Sequence, residues 1–368
     1  MKRPAHRDHR RRISALFCTL LVAPILALLS SPLLGADPAL PSDVTFNLRR
    51  SFPEELMDGG PNGHSMGARW NVKLKMGEHS AVHDIAADCE LHVAAKRSDN
   101  RLLANPSGIV VEPPNVCKLR IPQMAQSGKI KDTWASYFDT KVKDKTCEVT
   151  GFPRIYSEHS SGGSSTGSNP DHVVEVHPQI GMHCDGEDAA DFLPLLRVFP
   201  KMRRITDNSA EACLDKRQLF VRAREKSGAV IYEFLEQGAK GFGGSCGNFV
   251  VVEADISKEY LRELSNGGDH VALARAWVNG HGPWPLKIYT YKGTPEDAAI
   301  AALMADPDEG ASIELQLHGL LTYDYFTIVQ TLQKKEGGQF VWLPVSELEE
   351  YKEIRNPLAL VVFGKAVD

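Results

Sequence analysis

The 368-residue sequence predicts a mainly β protein of the α+β class, with a few helices. Three observations carry that expectation. Short segments such as "WNVKLKM" and "CELHVAAK" alternate apolar and polar residues with the period of two that a half-buried strand requires. Gly, Pro and Asn clusters separate these segments. Only a few stretches carry the start signals and 3.6-residue spacing of a helix.

Taken in order, residues 37–66 are rich in Pro, Gly and Asp and read as an irregular arm. A first unit, 67–198, runs through "WNVKLKM", "CELHVAAK" and "SGIVVEPP" as strands. It continues with "QMAQSGKIKDTWASYFD" as a helix, then "CEVTGFPRIYSEH" and "DHVVEVHP" as strands, the last ended by Pro178. A second unit, 199–368, begins after a "KMRR" connector and is expected to repeat that order. "RQLFVRAREK", "AVIYEFLEQ" and "GNFVVVEAD" are its strands, "SKEYLRELSN" its helix with Ser257 as cap, and "HVALARAWVN" and "WPLKIYTY" its last pair. Three strands, a helix and two strands is the order of the OB-fold, a five-stranded Greek-key barrel. The expected architecture is therefore two tandem OB-like barrels with a C-terminal β/α extension. That extension holds a helix from Pro295 to Met304 capped by Thr294, strands "SIELQLHGLLTYDY" and "FTIVQTLQ", a short helix near "SELEEYKEI" and the strand "LALVVFG".

The first 36 residues differ from the rest: "MKRPAHRDHRRR" is basic and "ISALFCTLLVAPILALLSSPLL" is uncharged, the pattern of a signal peptide. Cleavage after Ala36 makes the protein secreted or periplasmic; an uncleaved N-terminal anchor is the alternative. The leader takes six of the 42 basic and one of the 47 acidic residues, leaving 36 against 46 and a net charge of about −10. General nucleic-acid binding is not expected of such a chain. Six cysteines remain, an even count that reads as disulfides in an oxidising compartment. Cys213 is expected to pair with Cys246, and Cys89, Cys117, Cys147 and Cys184 among themselves.

"AADCELHVAA", "GIVVEPPNVC", "VTGFPRIYSEH" and "HVVEVHP", spread over residues 84–178, resemble a group of secreted bacterial OB-like β-barrel proteins. The pattern of that group is an acidic-His strand "DGDYHL", an "AEIP" segment ending near a cysteine, and a Gly-containing strand leading to "IELHPV". Cys-Glu stands here where that pattern has Gly-Asp, while His92 is retained. The resemblance implies an OB-like fold outside the cytoplasm and marks His92, Glu175, His177 and Pro178 as a signature; it implies no activity.

The densest concentration of reactive groups is "NPDHVVEVHPQIGMHCDGEDAAD", residues 169–191. Strand alternation puts Glu175 and His177 on one face and His172 on the other. Glu175 and His177 could supply two ligands of a divalent metal, with His92 and His183 as candidate partners. The competing reading is a local hydrogen-bond network at a barrel rim, with no cofactor. "DGEDAAD" lacks the acidic spacing of a calcium loop and reads as a solvated turn. Gly-x-Ser-x-Gly around Ser165 and Ser245 lacks the strand-to-helix context of a nucleophile elbow. Lys143, among neighbouring lysines, with Phe152 and Tyr156 on the next strand, forms a possible ligand face for bases. The sequence thus points to an extracytoplasmic binding or scaffolding protein, a possible cell-envelope component without catalytic signature. The alternatives are a binder of oligosaccharide or single-stranded nucleic acid, and a metal-dependent hydrolase using Glu175 and His177.

Overall fold

The structure is a computed structural model and describes residues 44–58, 69–82, 89–99, 108–155, 166–196, 203–238, 246, 250–264 and 269–364. The predicted leader, Ser165, Ser245 and Tyr156 lie outside the described residues. The arm expected to be irregular carries β1 (Val44–Arg49) and α1 (Ser51–Asp58). Its apolar residues explain the correction: Phe46, Leu48, Phe52 and Leu56 are buried, a strand-spaced pair followed by a helix-spaced pair.

The first sheet contains β2 (Trp70–His79), β3 (Val93–Lys96), β4 (Gly108–Val111), β5 (Thr146–Ile155), β6 (His172–Cys184) and the two-residue β7 (Ala190–Asp191). Between β4 and β5 lies α2 (Ile130–Tyr137), continued by a π-turn through Val142. Trp70, Val72, Leu74 and Met76 point inward from β2, as the alternation requires. Strand order is β4-β3-β2-β5-β6-β7, and β4 also pairs in parallel with β6. Buried along its whole length, β4 is apolar without alternation. β6 runs on through Pro178 to Cys184 rather than stopping at the proline. The strand tolerates Pro178 because pairing with β5 shifts register there, and the next amide, of Gln179, donates to the Glu112 carbonyl at 3.0 Å.

After α3 (Leu193–Leu196), residues 203–204 of the expected connector begin α4 (Arg203–Lys216), a helix missed in the sequence. β8 (Gln218–Lys226) and β9 (Ala229–Gln237) form a hairpin closed at Ser227-Gly228, both in the left-handed region. These strands do not enter a barrel. They join β1 in a separate sheet, ordered β1-β9-β8-β16 once β16 (Lys352–Ile354) is added near the C-terminus.

A closed five-stranded barrel begins two strands later than expected. It comprises β10 (Val250–Glu263), β11 (His270–Val278), β12 (His281–Thr290), β13 (Ser312–Tyr323) and β17 (Leu358–Gly364), with α5 (Pro295–Ala305) between β12 and β13. Thr294 caps α5, accepting from the Asp297 amide at 3.2 Å. Asp297 in turn accepts from Thr290 Oγ1 at 2.7 Å and meets His270 Nδ1 at 2.8 Å, fastening the helix to the barrel end. "SKEYLREL", expected to be a helix, is the second half of β10, where a register shift restores Leu261 to the interior. Its helix-forming residues lose to the need for a long tilted strand, paired with β13 as far as Ser257 and with β11 again from Leu261. "FTIVQTLQ", expected to be a strand, forms α6 (Tyr325–Thr331). Tyr325, Ile328, Val329 and Leu332 are all buried at helical spacing. β14 (Gln333–Glu336) and β15 (Gln339–Trp342) make a small hairpin before a single 3₁₀ turn at Val345–Glu347. The apolar C-terminal strand closes the barrel between β12, in parallel, and β13, antiparallel.

Cys89–Cys117, Cys147–Cys184 and Cys213–Cys246 are disulfides, matching the expected partition, and they accord with an oxidising, extracytoplasmic setting. No helix among the described residues is long and apolar enough to cross a membrane. Residues Pro41–Asp368 form one compact unit, stitched by aromatic contacts: Phe52 meets both Trp70 and Tyr325 edge-on, and Phe152 packs on Tyr291 at 5.7 Å. Where β13 passes β17, Gly319 has no room for a side chain, since a Cβ would meet the Val361 backbone carbonyl. Gly319→Ala is expected to cost about 1–3 kcal/mol of stability, read as a lower denaturant midpoint at unchanged m-value.

Candidate functional site

Four segments deliver charged side chains into the core of the first sheet. Glu90 and His92 precede β3, Glu112 follows β4 directly, Arg154 lies on β5, and β6 supplies His172, Glu175 and His177. All but His92 are almost wholly buried. Arg154 is the hub: its Nε donates to Glu175 Oε2 at 2.6 Å, its Nη2 also reaches Glu175, and Nη2 stands 3.4 Å from Glu112 Oε2. His172 Nε2 meets Glu175 Oε1 at 2.9 Å, and His177 Nδ1 makes a short contact with Glu112 Oε2. His92 Nε2 lies 3.1 Å from Glu112 Oε1, and His177 Nε2 lies 3.6 Å from Glu90 Oε1.

The presence of His172 corrects the alternation argument. Gly108 pairs with His172 but the next residue, Ile109, pairs with Val174, so Val173 is an extra residue in β6. One bulged residue inverts the facing of everything before it, which turns His172 to the side of Glu175 and His177. His183 does not join: it is exposed, opposite Glu148 on β5. Of the sequence-predicted candidates, His92, Glu175 and His177 are brought together. Glu90, Glu112 and Arg154 were missed. Their signal is a single charge set within an apolar run, in "CELHV", "IVVEPP" and "GFPRIY".

Two acceptors, the Pro170 carbonyl at 2.6 Å from Nδ1 and Glu175 at Nε2, face the two ring nitrogens of His172. Although burial opposes charge, Glu175 and the carbonyl outweigh it and raise the His172 pKa. Burial first, and then the Arg154 charge, lower the pKa of His177, which favours its neutral form. Burial also works against ionised Glu112, yet His92, His177 and Arg154 pull its pKa well below the carboxylate range; against burial, Arg154 and His172 lower that of Glu175. Glu175 is therefore committed to Arg154 and His172. Among the described residues, Glu90, Glu112 and His177 each offer a donor atom within 4.8 Å of the others, a grouping of metal-ligating type.

Two residues of the possible base-binding face are already engaged. Phe152 is buried against Tyr291, and Lys143 pairs with Glu78 at 2.8 Å. Lys141 and Lys145 both engage Glu187 of the acidic turn. Among the described residues, an open groove of about 660 Å³ lies instead on the outer face of the closed barrel. Register stacks its polar residues in two rows across β13, β10 and β11: Gln316, Glu253 and Trp277 in one, Glu314, Asp255 and Arg275 in the other. The Arg275 guanidinium stands 5.3 Å above the Trp277 ring.

No family model, curated protein or solved structure matches this chain.

Two predictions follow from the buried network. Glu112 and Glu175 are held below their ordinary value of 4.5 in the folded state, so their contribution is complete above pH 4.5. It is lost as pH falls further, because the unfolded chain takes up those protons first. Urea midpoints measured from pH 7 to pH 3 are expected to fall most steeply below about pH 4.5, beyond the shallower change above it that the opposed shifts of His172 and His177 leave. Arg154→Met leaves two buried carboxylates without their shared cation and is expected to cost about 3–5 kcal/mol at pH 7 by the same measurement.

Proposed function

We propose that this protein is an extracytoplasmic binding protein of two OB-like barrels that takes a neutral oligosaccharide along the outer groove of its second barrel. The OB reading is supported by a shared plan. In each unit the first strand lies between the second and fourth, a helix separates the third from the fourth, and the third pairs in parallel with the fifth. Secretion through a cleaved leader accords with the basic and apolar N-terminal pattern and with three disulfides. Membership of the secreted bacterial OB-like group is supported by the cluster itself, since the four stretches that carry the resemblance supply Glu90, His92, Glu112, Arg154, His172, Glu175 and His177 between them.

The groove carries the functional reading. Its Trp277 offers an apolar plane for a sugar ring, and the carboxylates, Gln316 and Arg275 beside it offer hydrogen-bond partners for hydroxyls. Three carboxylates against one guanidinium repel phosphate, which favours a saccharide over a nucleic acid. Hydrolysis through Glu175 and His177 has less support, because Glu175 is already bonded to Arg154 and His172 and the cluster is shut off from solutes.

Calorimetric titration with chito- and cello-oligosaccharides tests the proposal. Binding that weakens ten-fold or more in Trp277→Ala, about 1.4 kcal/mol, with an unchanged melting midpoint is the expected outcome. An intact protein that ignores both saccharide series, or that binds single-stranded oligonucleotide instead, reverses it.

A further inference from the structure

We propose that the outer face of the β1-β9-β8-β16 sheet binds an acidic polysaccharide of the polyuronate class through the guanidinium groups of Arg222 and Arg224, at a site separate from the barrel groove. The sheet turns Phe46, Leu48, Leu219, Val221 and Phe234 into the core, so alternation puts the residues between them outside. Register sets these in rows: Asn47, Glu233 and Arg222 in one, Arg49, Ile231 and Arg224 in the next. With Lys226 the face carries four cations against the carboxylates of Glu233 and Glu353, although the chain after its predicted leader is acidic. Positive charge is therefore gathered on this face rather than spread over the surface.

The two arginines are held ready by what lies beneath them. Buried Glu233 accepts from Arg222 Nε at 2.8 Å and from its Nη2, lies 3.2 Å from Arg224 Nη2, and accepts from the Tyr351 hydroxyl at 2.6 Å. Burial works against that carboxylate, yet Tyr351 and Arg222 lower its pKa and keep it ionised. The Arg222 guanidinium stands 4.7 Å over the Tyr351 ring, and Arg224 Nη2 also donates to Asn47 Oδ1 at 3.1 Å. Among the described residues no protein group takes Arg222 Nη1 or the Nε and Nη1 of Arg224, and the two side chains are 41% and 49% exposed. Each thus presents outward part of a planar fork that matches a carboxylate, from positions about 7 Å apart along β8. Asn47 and Gln218 on the same face add amides for sugar hydroxyls. A membrane or a nucleic acid fits less well. The exposed large apolar residues among those described, Tyr260, Leu273 and Phe340, lie on other elements, and the Tyr351 ring is covered by Arg222 rather than open to a base.

Calorimetric titration of the mature chain with oligogalacturonate, at low and at high salt, tests the assignment against the fully methyl-esterified oligomer, which keeps the sugar and loses the charge. Binding of the acid form alone, weakening as salt is raised, is expected. Arg224→Gln should weaken it about ten-fold at an unchanged melting midpoint, and Arg224→Lys, which keeps the charge without the fork, should weaken it less. Trp277→Ala, in the barrel groove, should leave it unaltered, so the two sites stand or fall separately. No binding by the intact chain, equal affinity for the ester, or equal affinity in Arg224→Gln would each overturn the assignment. Loss of binding in Trp277→Ala, or tighter binding to anionic phospholipid vesicles or to a single-stranded oligonucleotide, would overturn it too.

Discussion

A guanidinium buried between two carboxylates is the constraint on which the first sheet depends. Charges in a core are costly to desolvate, and they persist only where geometry compensates each of them. Arg154 on β5 can satisfy Glu175 only if β5 and β6 are in one register, and it can approach Glu112 only if β4 lies across β6. The electrostatics therefore select the closing pair of the sheet. Apolar packing alone would tolerate a strand slipped by two residues, since alternation is unchanged by such a slip; the buried ion network does not.

Bulges and irregularities supply the adjustments that this network needs. Val173 is the extra residue that rotates His172 toward Glu175. Gly151, on β5 beside the irregular stretch, allows close passage of β6, because a Cβ there would strike Val176 and the Pro178 carbonyl. In the closed barrel the same closing role falls to apolar contact, through Leu358–Gly364 between β12 and β13. The first sheet and the closed barrel thus share a pairing plan and differ in what specifies it: ion pairing in one, a continuous apolar strand in the other.

How much of this was legible in the sequence depended on whether local pattern and tertiary demand agreed. At β2, β5, β8 and β11 they agreed, and alternation located each strand. At Lys258–Glu263 they did not: helix formers were recruited into a long barrel strand that pairs with β13 as far as Ser257 and with β11 again from Leu261. Tyr325–Leu332 shows the opposite error, for its β-branched and aromatic residues suggested a strand although their burial follows a helical period. Of the cluster, Glu175 and His177 were visible because they sit two apart on one strand, whereas Glu112 and Arg154 look like isolated surface charges until the third dimension pairs them. A bulge leaves no compositional mark, so the place of His172 could not be read at all.

The division of chemistry between the first sheet and the closed barrel follows from burial. Groups that touch Arg154 have traded water for fixed partners, and a ligand approaching from solvent would have to break several charge-assisted bonds to reach them. Groups in the groove have made no such commitment: Arg275 is two-thirds exposed and stands 3.5 Å from Asp255, a contact worth little in water. Recognition needs side chains that can exchange solvent for ligand at small cost, and specificity of fold needs side chains that cannot. The dense histidine-carboxylate sequence is therefore buried in the scaffold, and the less conspicuous rows around Trp277 stay at the surface.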